Sequence, residues 1–223
     1  MTGTKAQISY GSELLRKGIH IASLLIPIIY LQLEHWTGIG ILLVMTAVSV
    51  LIDALMHFNA SARRMMLQLV GPLLRSHELR EDKFLLTGAS WVLIAAVSSF
   101  LFFPTIVGVT AFTVLIVSDT FAALVGRRFG STPFLDKSVV GTATFIVTSW
   151  GVVLVFAAIY SLPMPYIVCG AIAGMVGGIA EAGSTRLRLD DNISIPFSFA
   201  LTMWIVGTIA TSMGFESFVH ALP

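Results

Sequence analysis

The chain has 223 residues, of which 56% are hydrophobic and 11% charged, with a mean hydropathy of +0.91. Soluble domains carry about 25% charged residues, so this composition excludes an ordinary soluble fold. The net charge of +1 points to no charged partner; the single cysteine, Cys169, excludes an intrachain disulfide; and the five histidines form no HExxH or CxxC zinc pattern.

Seven apolar segments have spanning length: 18–33, 37–56, 84–103, 105–125, 139–160, 163–180 and 193–213. The expected fold is therefore all-α and polytopic, a single membrane-embedded domain over 1–223. The first span follows Arg16 and Lys17 and opens within SELLRKGIH (12–20), where Glu13, Arg16, Lys17 and His20 fall at i, i+3, i+4 and i+7 on one helical face. Cations at a span's end also suit snorkelling to the interface, whereas His20 lies deeper. No small-residue cleavage site follows, so this reads as a retained helix and not a signal peptide.

The second span ends near Asp53 and leads to Arg63, Arg64 and LLRSHE (73–78). Residues 60–80 read as an amphipathic helix lying on the membrane surface, with Met65, Met66, Leu69 and Leu73 or Leu74 as its apolar stripe. Within it, Arg75 and Glu78 have the spacing of an ordinary i,i+3 ion pair.

The fourth span, 105–125, holds one charged residue, Asp119. An ionisable group at this depth costs several kcal/mol unless paired or wet, which makes it a functional hypothesis. Ala122, Ala123 and Gly126 continue its face at i+3, i+4 and i+7, narrow enough for close approach of a helix or ligand. Arg127 and Arg128 follow, then a loop rich in Gly, Ser, Thr and Pro. Lys137 and Ser138 open the fifth span, with Gly141 and Thr142 one turn on. A helix N-terminus beside an ammonium and a hydroxyl suits phosphate. It is not a Walker A loop, because position 136 is Asp where that motif has Gly.

In the sixth span Gly170, Gly174, Gly177 and Glu181 share a face. Arg186, Arg188, Asp190, Asp191 and Asn192 lie between it and the seventh span. Asn192 suits a helix N-cap and the aspartates suit the positive helix end, while the same residues offer the hard oxygens that Mg²⁺ takes.

With seven spans, all 13 Lys and Arg residues fall on the side of the N-terminus, which the positive-inside rule makes cytoplasmic. Ten of the 12 acids lie there or at its helix ends, leaving Glu34 and Glu216 on the other side. Carboxylates for a divalent cation, cations and N–H groups for phosphates, and lipid surroundings together suit phosphoryl transfer to a lipid alcohol. Asp119 and Glu181 also suit the lining of an ion path, a transporter reading opposed by the lack of polar residues toward the far side.

RKGIH (16–20), LLRSHE (73–78), SDTFAALVGRRFG (118–130), KSVVGT (137–142) and EAGSTRLRLDDNISIP (181–196) give the chain a family resemblance. It resembles the CTP-dependent lipid kinases, which include dolichol kinase, phytol and farnesol kinases and the yeast-type diacylglycerol kinase, relatives of the CDP-diacylglycerol synthases. The resemblance implies CTP as phosphate donor, Mg²⁺ as cofactor, and a membrane alcohol such as a polyprenol, a phytol-like alcohol or diacylglycerol as acceptor. It makes Asp119, Lys137, Ser138 and Gly141 nucleotide-site positions. The cytidylyltransferase branch carries HGG, DRxD and a two-lysine SPKK element; here the corresponding stretches read STRLRLDDNISIP and DKS, which favours the kinase branch. Combining the resemblance with the residue types, we expect Arg16, Lys17, Arg127, Lys137, Ser138, Gly141 and Thr142 to hold the triphosphate. Asp119, Asp191, Asn192 and Glu181 are expected around Mg²⁺, and His20, Asp53 or Glu78 to orient or deprotonate the acceptor. The expected partners are the nucleotide, the alcohol and the bilayer, and no nucleic acid.

Overall fold

A computed structural model describes residues 10–71, 74, 84–187, 190–219 and 221–222. Lys5, Leu73, Arg75, Glu78, Arg80, Lys83 and Arg188, singled out above or placed by charge, lie outside the described residues. In chain order the elements are α1 (Tyr10–Ala22), α2 (Leu25–Tyr30), α3 (His35–Phe58), α4 (Ala60–Val70), α5 (Gly88–Phe102) and α6 (Thr105–Phe129). They continue with β1 (Pro133–Phe134), β2 (Lys137–Ser138), α7 (Val139–Tyr160), α8 (Met164–Leu187) and α9 (Asp191–Ser212). The chain is an all-α polytopic membrane protein in which five described helices, α3, α6, α7, α8 and α9, are long and apolar enough to cross a bilayer.

Two predicted spans take a different form. Segment 18–33 is not one helix: α1 ends at Ala22, a tight turn follows, and α2 has only 6 residues. Pro27 explains the break, because its ring excludes the carbonyl four residues back and it has no N–H to give. The turn is closed instead by i,i+3 bonds, Leu24 N–H to Ile21 O and Ile26 N–H to Ser23 O, each 3.0 Å. Segment 84–103 becomes helical only at Gly88, which leaves α5 with 15 residues, about 22 Å at 1.5 Å per residue. The amphipathic helix expected over 60–80 is seen over Ala60–Val70, capped by Asn59, whose side chain accepts from the N–H groups of Ser61 and Ala62.

α6 is the centre of the bundle. Its residues from Ile106 to Ile116 are buried without interruption, as a helix apolar on every side must be. α7 and α9 pack on it, α8 packs between those two, and α5 rests on α6, α9 and α3. Small residues set the closest approaches. A Cβ at Gly178 would lie 2.9 Å from the Ile146 side chain, and one at Gly126 would lie 3.0 Å from the Cα of Gly141. The glycine face of α8 thus serves contact with α7, and Gly126 brings the end of α6 onto the start of α7. α3 is peripheral: Gly38, Ile39, Leu42 and Asp53 are its buried residues, and Val44, Val48, Leu51 and Leu55 are exposed toward the bilayer.

Candidate functional site

At one end of the bundle the C-terminal ends of α3, α6 and α8 meet the N-terminal ends of α5, α7 and α9. The intramembrane carboxylate lies there. Asp119 stands nearly three turns before the end of α6, and Lys17 of α1 reaches it, Nζ to Oδ2 at 2.8 Å. His20, one turn along α1 from Lys17, brings its Nε2 to 3.8 Å from the same oxygen. The i, i+3 spacing of Lys17 and His20 aims both at one partner. Lys17, with 11% side-chain exposure, and Asp119, with 17%, form a mutually neutralised pair, which makes a charge tolerable at this depth.

A second cluster forms around Lys137. The segment after α6 folds into a two-stranded hairpin, with Pro133 opposite Ser138 and Phe134 opposite Lys137. Leu135 and Asp136 make its tip, and Leu135 takes φ 52°, an uncommon conformation for a bulky residue. Asp136 holds the tip against α8. Its N–H donates to Ala182 O at 2.9 Å, and its carboxylate accepts from Arg186 N–H at 2.9 Å and Arg186 Nε at 3.0 Å. Those two backbone groups are the pair that a regular helix joins i to i−4. Anchored this way, Lys137 places its Nζ 2.9 Å from Glu181 Oε1 and 3.3 Å from Asp191 Oδ2. Burial alone would lower the lysine's pKa. The Asp191 and Glu181 carboxylates outweigh it and raise the pKa above the ordinary lysine value, so the ammonium stays charged at any physiological pH.

Both clusters border a cavity of about 530 Å³, within the range of small-molecule sites. α1 lines it with Arg16, Lys17 and His20, α6 with Asp119, β2 with Lys137, and α9 with Asp191 and Asn192. Ile26, Ile52, Met56 and Val92 give the rest of the wall an apolar character. Glu181 meets this space through Lys137. Arg127, Ser138, Gly141 and Thr142 do not line it, and two of these are engaged in the local fold. Ser138 caps α7, its hydroxyl accepting from Gly141 N–H at 3.1 Å, and Val139 N–H goes to Thr132 O at 3.0 Å. The helix N-terminus expected to cradle phosphate therefore spends two of its N–H groups internally.

Asp53, 3% exposed, also faces the cavity, and its Oδ2 is engaged. It accepts from Ser90 Oγ at 2.6 Å, Thr87 N–H at 2.9 Å and Thr87 Oγ1 at 3.3 Å, and Ser90 in turn pairs with Ser49 at 2.7 Å. Asp53 is thus an N-terminal cap for α5 supplied from α3, and it explains why α5 starts at Gly88. The N-cap of α9 is also displaced from expectation. It is Asp190, whose carboxylate accepts from Asn192 N–H at 3.0 Å and Asn192 Nδ2 at 2.7 Å. Pro196 has no N–H for the carbonyl of Asn192, four residues back.

The sequence offered no signal for the Asp136–Arg186 anchor or for the pairing of Lys17 with Asp119, because the partners are 50 and 102 residues apart. Thr87 and Ser90, three apart at the start of an apolar run, were the local sign of a polar partner for Asp53.

A divalent cation meets a particular donor set here. Among the described residues no group of three or more His, Cys, Asp or Glu side chains is placed to hold a metal ion. Mg²⁺ bound with a nucleotide does not need one, since it takes one or two carboxylates plus phosphate oxygens and water. Asp119 and Asp191 face the cavity with this chemistry, and the buried Glu181 Oε2 has no hydrogen-bond partner among the described residues. The donors fit a cation that arrives with a phosphate ligand, not a preformed protein cage.

Among known proteins, the chain is similar to an uncharacterized protein of Rickettsia prowazekii (strain Madrid E), 29% identical over 192 residues, which cover 85% of this chain and 92% of that protein. No protein-family model matches the chain, and no solved structure matches it.

Proposed function

We propose that this protein is a CTP-dependent kinase that transfers the γ-phosphate of CTP to the hydroxyl of a membrane lipid alcohol. The observation that carries the reading is one cavity in which Arg16, Lys17 and Lys137, the carboxylates Asp119 and Asp191, and an apolar wall face the same space. Cations suit a triphosphate, carboxylates suit its metal, and the apolar wall suits the hydrocarbon of the acceptor. The choice of CTP over other nucleotides rests on the family resemblance.

As the nucleotide binds, Lys17 exchanges Asp119 and Lys137 exchanges Asp191 for phosphate oxygens, which frees these two carboxylates to hold Mg²⁺. Each lysine thus keeps an anionic partner in both states, so neither ammonium is left buried and uncompensated. Asp119 and Asp191 would hold Mg²⁺, which would supply positive charge to offset the charge that develops on the phosphate. The alcohol oxygen attacks the γ-phosphorus, an O–P bond forms, the bond to the β–γ bridging oxygen breaks, and CDP leaves. His20, beside Asp119, takes the hydroxyl proton. Glu181 holds Lys137 in place from behind, and Asp53 fixes α5 against the acceptor side of the cavity. Purified protein given each nucleoside triphosphate with a panel of lipid alcohols is expected to phosphorylate an alcohol with CTP in preference to ATP, GTP and UTP. No phosphorylated lipid with any pairing contradicts the reading.

The proposal extends to topology: seven crossings, with α1 and α2 together forming the first, the N-terminus and the site cytoplasmic, and the C-terminus outside. The one-sided placement of the cations supports it. Ser217→Cys is expected to react with a membrane-impermeant maleimide in intact cells, since Ser217 is exposed and the native Cys169 is buried. Reaction only after permeabilisation contradicts this orientation.

A further inference from the structure

The cavity has a side as well as a polar floor. α1 is held by α6, α2 by α6, and α3 by α5. α2 meets α3 at its far end, where the Tyr30 hydroxyl pairs with His35 Nδ1 at 2.7 Å and its ring packs on Gly38, while backbone approach of α1 to α3 is slight among the described residues. The space between them is bordered by two facing rows. Ile19, Ser23 and Ile26 stand on the α1–α2 side and Ser49, Ile52 and Met56 on the α3 side, and all six line the cavity. Ile19 is 50% and Ile52 36% exposed, and α3 beyond this row turns Val44, Val48 and Leu51 to the bilayer. Polarity falls along the α1–α2 row: Lys17 and His20 stand at the Asp119 end, then Ser23, then Ile26 beyond the Pro27-induced break.

We infer that this gap is a lateral portal through which a single-chain lipid alcohol reaches the site from within the bilayer, its hydroxyl at Asp119 and its first apolar carbons between α1–α2 and α3. The inference rests on the kinase reading for its substrate and goes beyond it in naming the path and the acceptor class. An amphiphile with one uncharged polar end matches the gradient from Lys17 to Ile26. One groove between two rows of side chains takes one hydrocarbon chain, and a diacylglycerol would leave its second chain without a groove. The helix break at Ser23–Leu24 places this gap beside the substrate path, because a continuous helix through Pro27 would carry Ile26 on in line with α1.

The test is photolabelling of the purified full chain in nanodiscs with geranylgeraniol bearing a diazirine on its chain, and mapping of the labelled peptides by mass spectrometry. Label is expected in 19–26 and 49–56, and it is expected to fall with excess unlabelled geranylgeraniol but not with excess dioleoylglycerol. Ile52→Trp fills the portal from a half-exposed position and is expected to cut this labelling, and to raise the alcohol KM, by about tenfold or more while leaving the nucleotide KM unchanged. Val44→Trp, on the bilayer side of the same helix, is expected to change neither. Label spread over other lipid-facing helices, labelling indifferent to Ile52→Trp, or competition by dioleoylglycerol as strong as by geranylgeraniol overturns the portal. Labelling needs no turnover, so a protein that labels in the portal and phosphorylates nothing keeps the portal and loses the kinase reading.

Discussion

Asp119→Asn is expected to remove phosphotransfer, lowering kcat by about 10²–10³-fold or more, while the protein still inserts and elutes as a single species in detergent. The swap keeps the side chain's size and takes away the charge that a divalent cation and Lys17 both use. Because Lys17 sits 2.8 Å from Asp119, the variant also leaves a buried ammonium without its partner, and its melting temperature is expected to fall. The double variant Asp119→Asn, Lys17→Met separates the two effects. It removes both members of the pair and is expected to regain stability without regaining activity. Activity that returns with stability would make Asp119 no more than the counter-ion of Lys17.

Lys137→Met is the second large effect. It withdraws a cation lying 2.9 Å from Glu181 and 3.3 Å from Asp191 and leaves those carboxylates to repel each other. The nucleotide KM is expected to rise about tenfold and kcat to fall about 10²-fold, while the alcohol KM changes little. Lys137→Arg keeps the charge and is expected to retain part of kcat. The raised pKa sets the pH behaviour. A lysine whose folded pKa exceeds its unfolded value contributes stability that is complete below the unfolded pKa, about 10.4, and is lost only as pH rises through the higher folded one. The difference between wild type and Lys137→Met is therefore expected to stay constant from pH 6 to 9. Unchanged KM and kcat in Lys137→Met would remove Lys137 from the site.

Hydropathy made the class of fold legible, because spanning helices are long and their apolar runs are local. It misread the first span, where Pro27 and its neighbours count as apolar although the proline cuts the helix. It also started α5 four residues early, since the boundary is set by a carboxylate 34 residues away. At the site, the residues that carry charge at depth were readable singly: Asp119, Lys137, Glu181 and Asp191. Their pairing was not. Whether Lys17 meets Asp119 or a lipid headgroup depends on how α1 packs on α6, which no local pattern records. The glycine- and serine-rich stretch from Gly126 to Gly141 suggested a phosphate cradle. In the folded protein it brings α6 and α7 together, with the Ser138 hydroxyl spent on a cap. In the sequence Asp136 reads only as a departure from a nucleotide-binding loop, and the structure makes it the anchor that positions Lys137.

In the proposed reaction an alcohol oxygen meets the γ-phosphorus of CTP in the cavity between Asp119 and Lys137. A cytidylyltransferase would use the same cations and carboxylates on the α-phosphorus, release pyrophosphate and leave CMP on a phosphorylated lipid. The isotope decides between them. Purified protein supplied with lipid alcohol, Mg²⁺ and CTP labelled at the γ position is expected to move the label into the lipid, and with CTP labelled at the α position to leave it in CDP. α-Label in the lipid together with free pyrophosphate, or label in neither lipid product, would rule out γ-phosphoryl transfer to the alcohol.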